Sequence, residues 1–309
     1  MLDTLTAMRV TEVRVSSADA GPYHIVTGPD GALWFTLMHA GKIGRFDGNN
    51  VASCQLVPDD CGPSLLTNGP DGALWFTETK ANRIGRISVD GHVEQVAVPT
   101  GDAGPYGICT GPDQAIWFTE INGDRVGRVE VGRHRPTVTE FDLGGIGLYP
   151  ASITAGADDA LWFTLNQGNA IGRIGCDGEL SRFPLPTHGS APVGICAGPD
   201  HALWFVQIGA GQVGRIDLDG RVTEFALPDP AARPHAITAG PDALWFTEWG
   251  ANKIGRIELD GQVEEYELPT PASEPHGLCL DRDGAVWTTL ETGYLARISR
   301  GSTAERAGQ

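Results

Sequence analysis

Short apolar runs separated by turn-forming residues fill the chain and return at a regular spacing. Residues 233–257 hold most of one period: HAITAG, a tight PDA turn, LWFTE, a polar corner WGAN, and KIGRI. An Asp-Gly turn then leads into a fourth run, VEEYELP. Runs this short, rich in β-branched and aromatic side chains and bounded by Gly, Pro, Asp and Asn, predict strands. The tryptophan of the second run recurs as Trp34, Trp75, Trp117, Trp162, Trp204, Trp245 and Trp287, at intervals of 41, 42, 45, 42, 41 and 42 residues. The arginine of IGR follows eleven residues later in six copies (Arg45, Arg86, Arg128, Arg173, Arg215, Arg256) and ten later at Arg297. Four strands per period, seven times over, predict an all-β chain folded as a seven-bladed β-propeller.

Each first strand opens on a proline: Pro22, Pro63, Pro105, Pro150, Pro192, Pro234 and Pro275. The turns into the second strands (GPDG, GPDQ, GADD, GPDH, GPD, DRDG) use residues that favour tight reversals. Fourth strands are expected at 93–99, 138–143, 222–228 and 263–269. The seventh copy stops after its third strand, LARIS. Residues 10–15, VTEVRV, resemble VTEF at 222–225, so the N-terminal strand is expected to complete the last blade and close the ring. Closure removes the unpaired edges that an open sheet would leave. Residues 1–309 thus read as one propeller domain, with 301–309 expected to fray.

Composition narrows the function. The repeat fills nearly all 309 residues, against the two domains that length alone suggests. The 42 glycines and 21 prolines suit many strands joined by tight turns. A net charge of −17 argues against nucleic acid as a partner, since phosphate binding needs clustered Lys and Arg, and favours a soluble monomer. No apolar run approaches a membrane span, and MLDTLTAMRV lacks a basic segment followed by an apolar one, so a cytoplasmic location is expected. Cys109, Cys196 and Cys279 each lie four residues past the repeat's proline and are expected to fill one small core position. Cys54, Cys61 and Cys176 show no metal-type spacing.

Residues present in every copy serve the scaffold; chemistry belongs to departures from the repeat. After the opening proline stand Tyr23, Ser64, Tyr106, Ala151, Val193, His235 and His276, with histidine only in two adjacent copies. Before the proline stand three glycines, then Tyr149, Ala191, Arg233 and Glu274. Four residues past the tryptophan stand Met38, Thr79, Ile121, Asn166, Ile208, Trp249 and Glu291, of which only the last is acidic. A hairpin sets the start of its first strand beside the end of its second, so one end of the axis gathers His235, Trp249, Glu274, His276 and Glu291. Two carboxylates suit a hard divalent cation, a histidine suits a general base, and an aromatic wall suits an apolar cyclic ligand. A lone histidine in a loop is ordinarily structural or solvated; two at one repeat position in neighbouring blades point to function. Glu78, Glu120 and Glu248 recur in WFTE and read as scaffold or channel lining. His39, His92, His134, His188 and His201 read as exposed loop residues, and His24 stands where three copies have glycine.

RPHAITAG…LWFTEWGANKIGRI, followed one repeat later by EPHG and a glutamate ending the last second strand, resembles the virginiamycin B (streptogramin B) lyases. The resemblance covers residues from about 10 to 299. It implies a magnesium-dependent carbon–oxygen lyase of the EC 4.2.99 type that linearises cyclic depsipeptide antibiotics. Such an enzyme opens the threonine ester by elimination rather than hydrolysis, and so confers resistance. By the same resemblance His276 is the base, Glu274 and Glu291 match the magnesium site, and His235 matches a second active-site histidine. Trp249 and Tyr23 are candidate substrate contacts. The seventh blade departs from the family with WTTL and YLARI, and Tyr23-His24 stands where Tyr-Gly is usual. The competing readings are a metal-dependent lactonase or esterase on a propeller and a non-catalytic ligand-binding propeller.

Overall fold

The computed structural model describes residues 8–132 and 136–300; His134 and the tail 301–309 lie outside the described residues. Seven four-stranded antiparallel sheets follow one another, each running from an inner strand to an outer one. Blade one comprises Pro22–Thr27, Leu33–Leu37, Lys42–Phe46 and Val51–Gln55. Blade seven takes Pro275–Leu280, Val286–Leu290 and Tyr294–Arg300 from the C-terminal end, and Met8–Arg14 pairs antiparallel on its outer edge. The N-terminal strand therefore closes the ring, beginning two residues earlier than the sequence pattern indicates. Fourth strands are one or two residues shorter than expected (Val93–Ala97, Val138–Asp142, Val222–Ala226, Val263–Glu267), three of them ending just before a Val-Pro or Leu-Pro pair.

The core is a ring of seven apolar clusters, one in each seam between neighbouring blades. In six seams the repeat tryptophan of one blade shares a cluster with the WF phenylalanine of the next, as Trp204 does with Phe246. The IGR glycine lies directly under that phenylalanine: a Cβ on Gly44 would come within 2.2 Å of the Phe35 ring. Blade seven carries Thr288 in place of the phenylalanine and Ala296, its register partner, in place of the glycine. The two departures compensate each other in volume.

In six of the seven blades an aspartate from the first turn fastens the tryptophan to its arginine. Asp30 accepts from Trp34 Nε1 at 3.0 Å and from Arg45 Nε at 2.8 Å. Blades two to five repeat this through Asp71, Asp113, Asp158 and Asp200. In blade seven Asp281 serves both partners, while in blade six the turn is one residue shorter and Asp242 meets only Arg256, at 3.8 Å. Of the repeated cysteines, Cys279 is buried and Cys109 and Cys196 are half-buried; all six cysteines are free.

Candidate functional site

Each inner strand carries a β-bulge just after its proline, between Pro275 and Leu278 in blade seven. A bulge re-aims side chains locally, and here it holds the position occupied by Tyr23, Tyr106, His235 and His276. The WFT threonine supports the bulge and ties it across the seam. Thr247 Oγ1 accepts from Ala236 N at 3.0 Å and donates to the His276 carbonyl at 2.9 Å. Thr289 does the same for Gly277 N and the Tyr23 carbonyl. The residue before the proline is left-handed in all seven blades, at Gly21, Gly62, Gly104, Tyr149, Ala191, Arg233 and Glu274, with φ between 47° and 64°. Glycine adopts this conformation freely and a glutamate does not.

At this end of the axis the sequence-derived candidates converge. Ligand atoms of Glu274, His276 and Glu291 all lie within 4.8 Å of one another. His276 is 8% exposed, with Nε2 3.2 Å from Glu291 Oε2. The Glu291 backbone is fixed by its amide, which donates to the Ser273 carbonyl at 2.9 Å. Hydrogen bonding, first from His276, holds the Glu291 carboxyl well below the usual range, whereas the contact with Glu291 raises that of Glu274. The two carboxyl groups are thus pushed apart, with Glu291 favoured as the ionised partner. Two carboxylates this close repel each other, and their oxygens are donors that suit a hard cation.

The rings of His235 and His276 are 4.9 Å apart and nearly perpendicular, and Tyr23 packs 4.5 Å from His276 and 5.8 Å from His235. Burial, with the neighbouring His276 adding to it, pushes His235 down to about 3, so its ring is neutral near pH 7. Its Nδ1 is buried without a partner. Tyr23 Oη lies 2.6 Å from Tyr106 Oη and 3.5 Å from His235 Nε2. Trp249 stands at the rim with the Arg233 guanidinium 5.5 Å over its ring, and its Nε1 makes no formed hydrogen bond although the indole is near enough to Glu274 to favour the charged carboxylate. Beneath the site an axial cavity of about 100 Å³ is lined by Tyr23, His24, Tyr106 and His235 among others. His24, ambiguous in the sequence, lines this cavity, and burial pushes it down to about 4.

Glu78, Glu120 and Glu248, read as scaffold or channel lining, are fully buried, which fits the scaffold alternative. His92, His188 and His201 are exposed as expected. His39 is also exposed, but it is no bystander: its Nε2 sits 2.8 Å from Glu291 Oε1 across the seam between blades one and seven. Tyr106, visible at the same repeat position as Tyr23 but not singled out, belongs to the hydrogen-bonded set.

The sequence model of the Virginiamycin B lyase family matches residues 8–298. The chain belongs to that family. A solved streptogramin B lyase structure is 43% identical, superposes with a TM-score of 0.92, and the match covers 97% of this chain and 100% of that one. A catalytically inactive histidine-to-alanine variant of the Staphylococcus aureus virginiamycin B lyase, solved with quinupristin, is 42% identical at a TM-score of 0.91, over 95% of this chain and 99% of that one. The virginiamycin B lyase of Streptomyces coelicolor aligns over a shorter stretch, 63% identical over 38 residues, or 12% of this chain and 13% of that protein. Membership places the protein among lyases built on a propeller. No helix among the described residues is long and apolar enough to cross a membrane.

Proposed function

We propose that the protein linearises a streptogramin B antibiotic by magnesium-assisted elimination at the threonine ester. The convergence of Glu274, His276 and Glu291 within 4.8 Å at the axis mouth carries this reading. Glu274 and Glu291 would hold the magnesium ion, their carboxylate oxygens being the hard ligands it prefers. When bound there, the ion supplies Lewis-acid polarisation of the lactone carbonyl.

The remaining chemistry belongs to the chain's own side chains. His276 takes up the α-proton of the threonine residue whose side-chain oxygen forms the ester. Nε2–H donates to the Glu291 carboxylate, so the lone pair that accepts the proton is that of the unpartnered Nδ1. The electron pair of the broken C–H bond becomes the new double bond, the Cβ–O bond breaks, and its pair leaves with the carboxylate. The product is a linear peptide with a dehydrobutyrine and no added water. His235, neutral at working pH, orients the ester through its unpartnered Nδ1. Tyr23 and Trp249 would wall the apolar ring of the substrate. The relative solved with quinupristin supports a small cyclic depsipeptide as the ligand. The chain supplies all four strands of every blade, which supports a monomer.

Mass spectrometry of quinupristin incubated with the protein and magnesium, then with excess chelator, tests the reading. A ring-opened product of unchanged mass, lost on chelation, is expected. A product heavier by one water would make the protein a hydrolase.

A further inference from the structure

The Glu291 carboxylate is held from two blades at once. His276 of its own blade reaches Oε2 at 3.2 Å, and His39 of blade one reaches Oε1 at 2.8 Å, although 252 residues separate the pair. We propose that His39 is a positioning residue, donating from Nε2–H to Glu291 so that this carboxylate keeps one fixed orientation toward the divalent cation. The proposal rests on the reading of Glu274 and Glu291 as the cation's ligands.

The rim of the propeller shows that His39 is placed rather than adrift. The left-handed residue before each proline faces the residue five past the tryptophan, and in most blades one of the two is glycine. The first three blades pair Gly21 with His39, Gly62 with Lys80 and Gly104 with Asn122; blades five and six reverse the order, with Ala191 facing Gly209 and Arg233 facing Gly250. A Cβ on Gly21 would lie 2.3 Å from His39 Cδ2, so the missing side chain is the space that the imidazole occupies. The His39 amide donates to the Ala20 carbonyl at 3.1 Å, which fixes the backbone beneath the ring. At the same position of blade three, Asn122 turns back to the Asp102 carbonyl instead. Blade one thus directs its rim side chain across the seam to a carboxylate.

The chemistry suits the task. A glutamate has several rotamers, and a cation ligand must hold one of them. An imidazole N–H on one oxygen restricts the carboxylate while leaving electron pairs on the other for the ion. Outer partners of this kind commonly alter metal affinity by about 10–100-fold. A side chain that is 46% exposed should act at the lower end of that range.

The test is calorimetric titration of MgCl2 into the substrate-free protein, with the thermal midpoint recorded in chelator. His39→Phe keeps a ring over Gly21 without the donor, and His39→Gln keeps a donor. We expect His39→Phe to weaken magnesium binding about 10-fold, His39→Gln to recover part of the loss, and the chelated midpoints to stay together. Wild-type affinity in His39→Phe would overturn the positioning role, and Glu291→Gln, weakened in the same experiment, would leave the cation site standing. If Glu291→Gln also bound like wild type, both would fall.

Discussion

Glu274 holds φ at 52°, where an L side chain crowds its own backbone, and Gly21, Gly62 and Gly104 occupy the same place in other blades at little penalty. Backbone strain of this kind is typical of functional positions. Glu274→Gly should therefore raise stability by about 1 kcal/mol while abolishing magnesium binding. A melting point several degrees below wild type would mean that the carboxylate supports the fold instead. Thr247 offers a second test, because its hydroxyl joins the bulge of blade six to the His276 carbonyl. Blade five already carries Val206 at this repeat position, buried, so the scaffold accepts the isostere. Thr247→Val should lower stability by about 1 kcal/mol and reduce kcat more than it changes KM, since it loosens the base rather than the substrate contacts. A change in KM alone would show that the hydroxyl does not position His276.

At the scale of the strand, the ends of three second strands carry buried carboxyls, Glu78, Glu120 and Glu248, whose pKa values burial raises above the ordinary range. Glu120 has both carboxylate oxygens buried with no formed hydrogen bond among the described residues, and it stands close beside Glu140 on the outer strand of the same blade. Burial lifts its pKa to about 8 from an ordinary 4.5. The folded chain therefore keeps a proton that the unfolded chain releases. The associated stability is full below the unfolded value, declines as pH rises between the two, and is gone above the folded one. Blade five shows the alternative, Gln207 donating to Glu224 at 3.2 Å. Glu120→Gln should match wild type near pH 5 and exceed it above pH 8 by about 2 kcal/mol. Equal differences at both pH values in chemical denaturation would exclude Glu120 as the source.

These strand ends also mark how far the sequence could be read. The Trp, Asp and Arg of the first five blades recur at one spacing because a local hairpin joins them, so the blades and the scaffold role of IGR were legible. His235, Glu274, His276 and Glu291 were legible as departures from that repeat. His39 was not, because its partner lies across a seam that only ring closure creates. The left-handed backbone under Glu274 was hidden for another reason: glycine at that position in three copies permits the conformation without revealing that the other four share it.

Ring closure itself is exposed to test. The amide and hydroxyl of Thr270, just past the outer strand of blade six, donate to Glu12 at 3.1 and 2.6 Å. Two other seams carry the same clasp, Thr100 with Glu140 and Thr187 with Glu224. The three contacts are chemically alike but differ in what else joins their blades. At the internal seams the two halves of the clasp stand only 40 and 37 residues apart. At the closing seam they stand 258 apart, and Glu12 lies on a strand joined to blade seven by pairing alone. Releasing a charged hydrogen bond costs about 1.5–3 kcal/mol in each case. At the closing seam, however, it also frees a strand whose departure leaves blade seven with an open edge. Glu12→Ala should therefore accelerate unfolding in urea more than Glu140→Ala or Glu224→Ala does. Equal unfolding rates for the three variants would mean that the N-terminal strand leaves no earlier than any other, and that the ring fails at all its seams together.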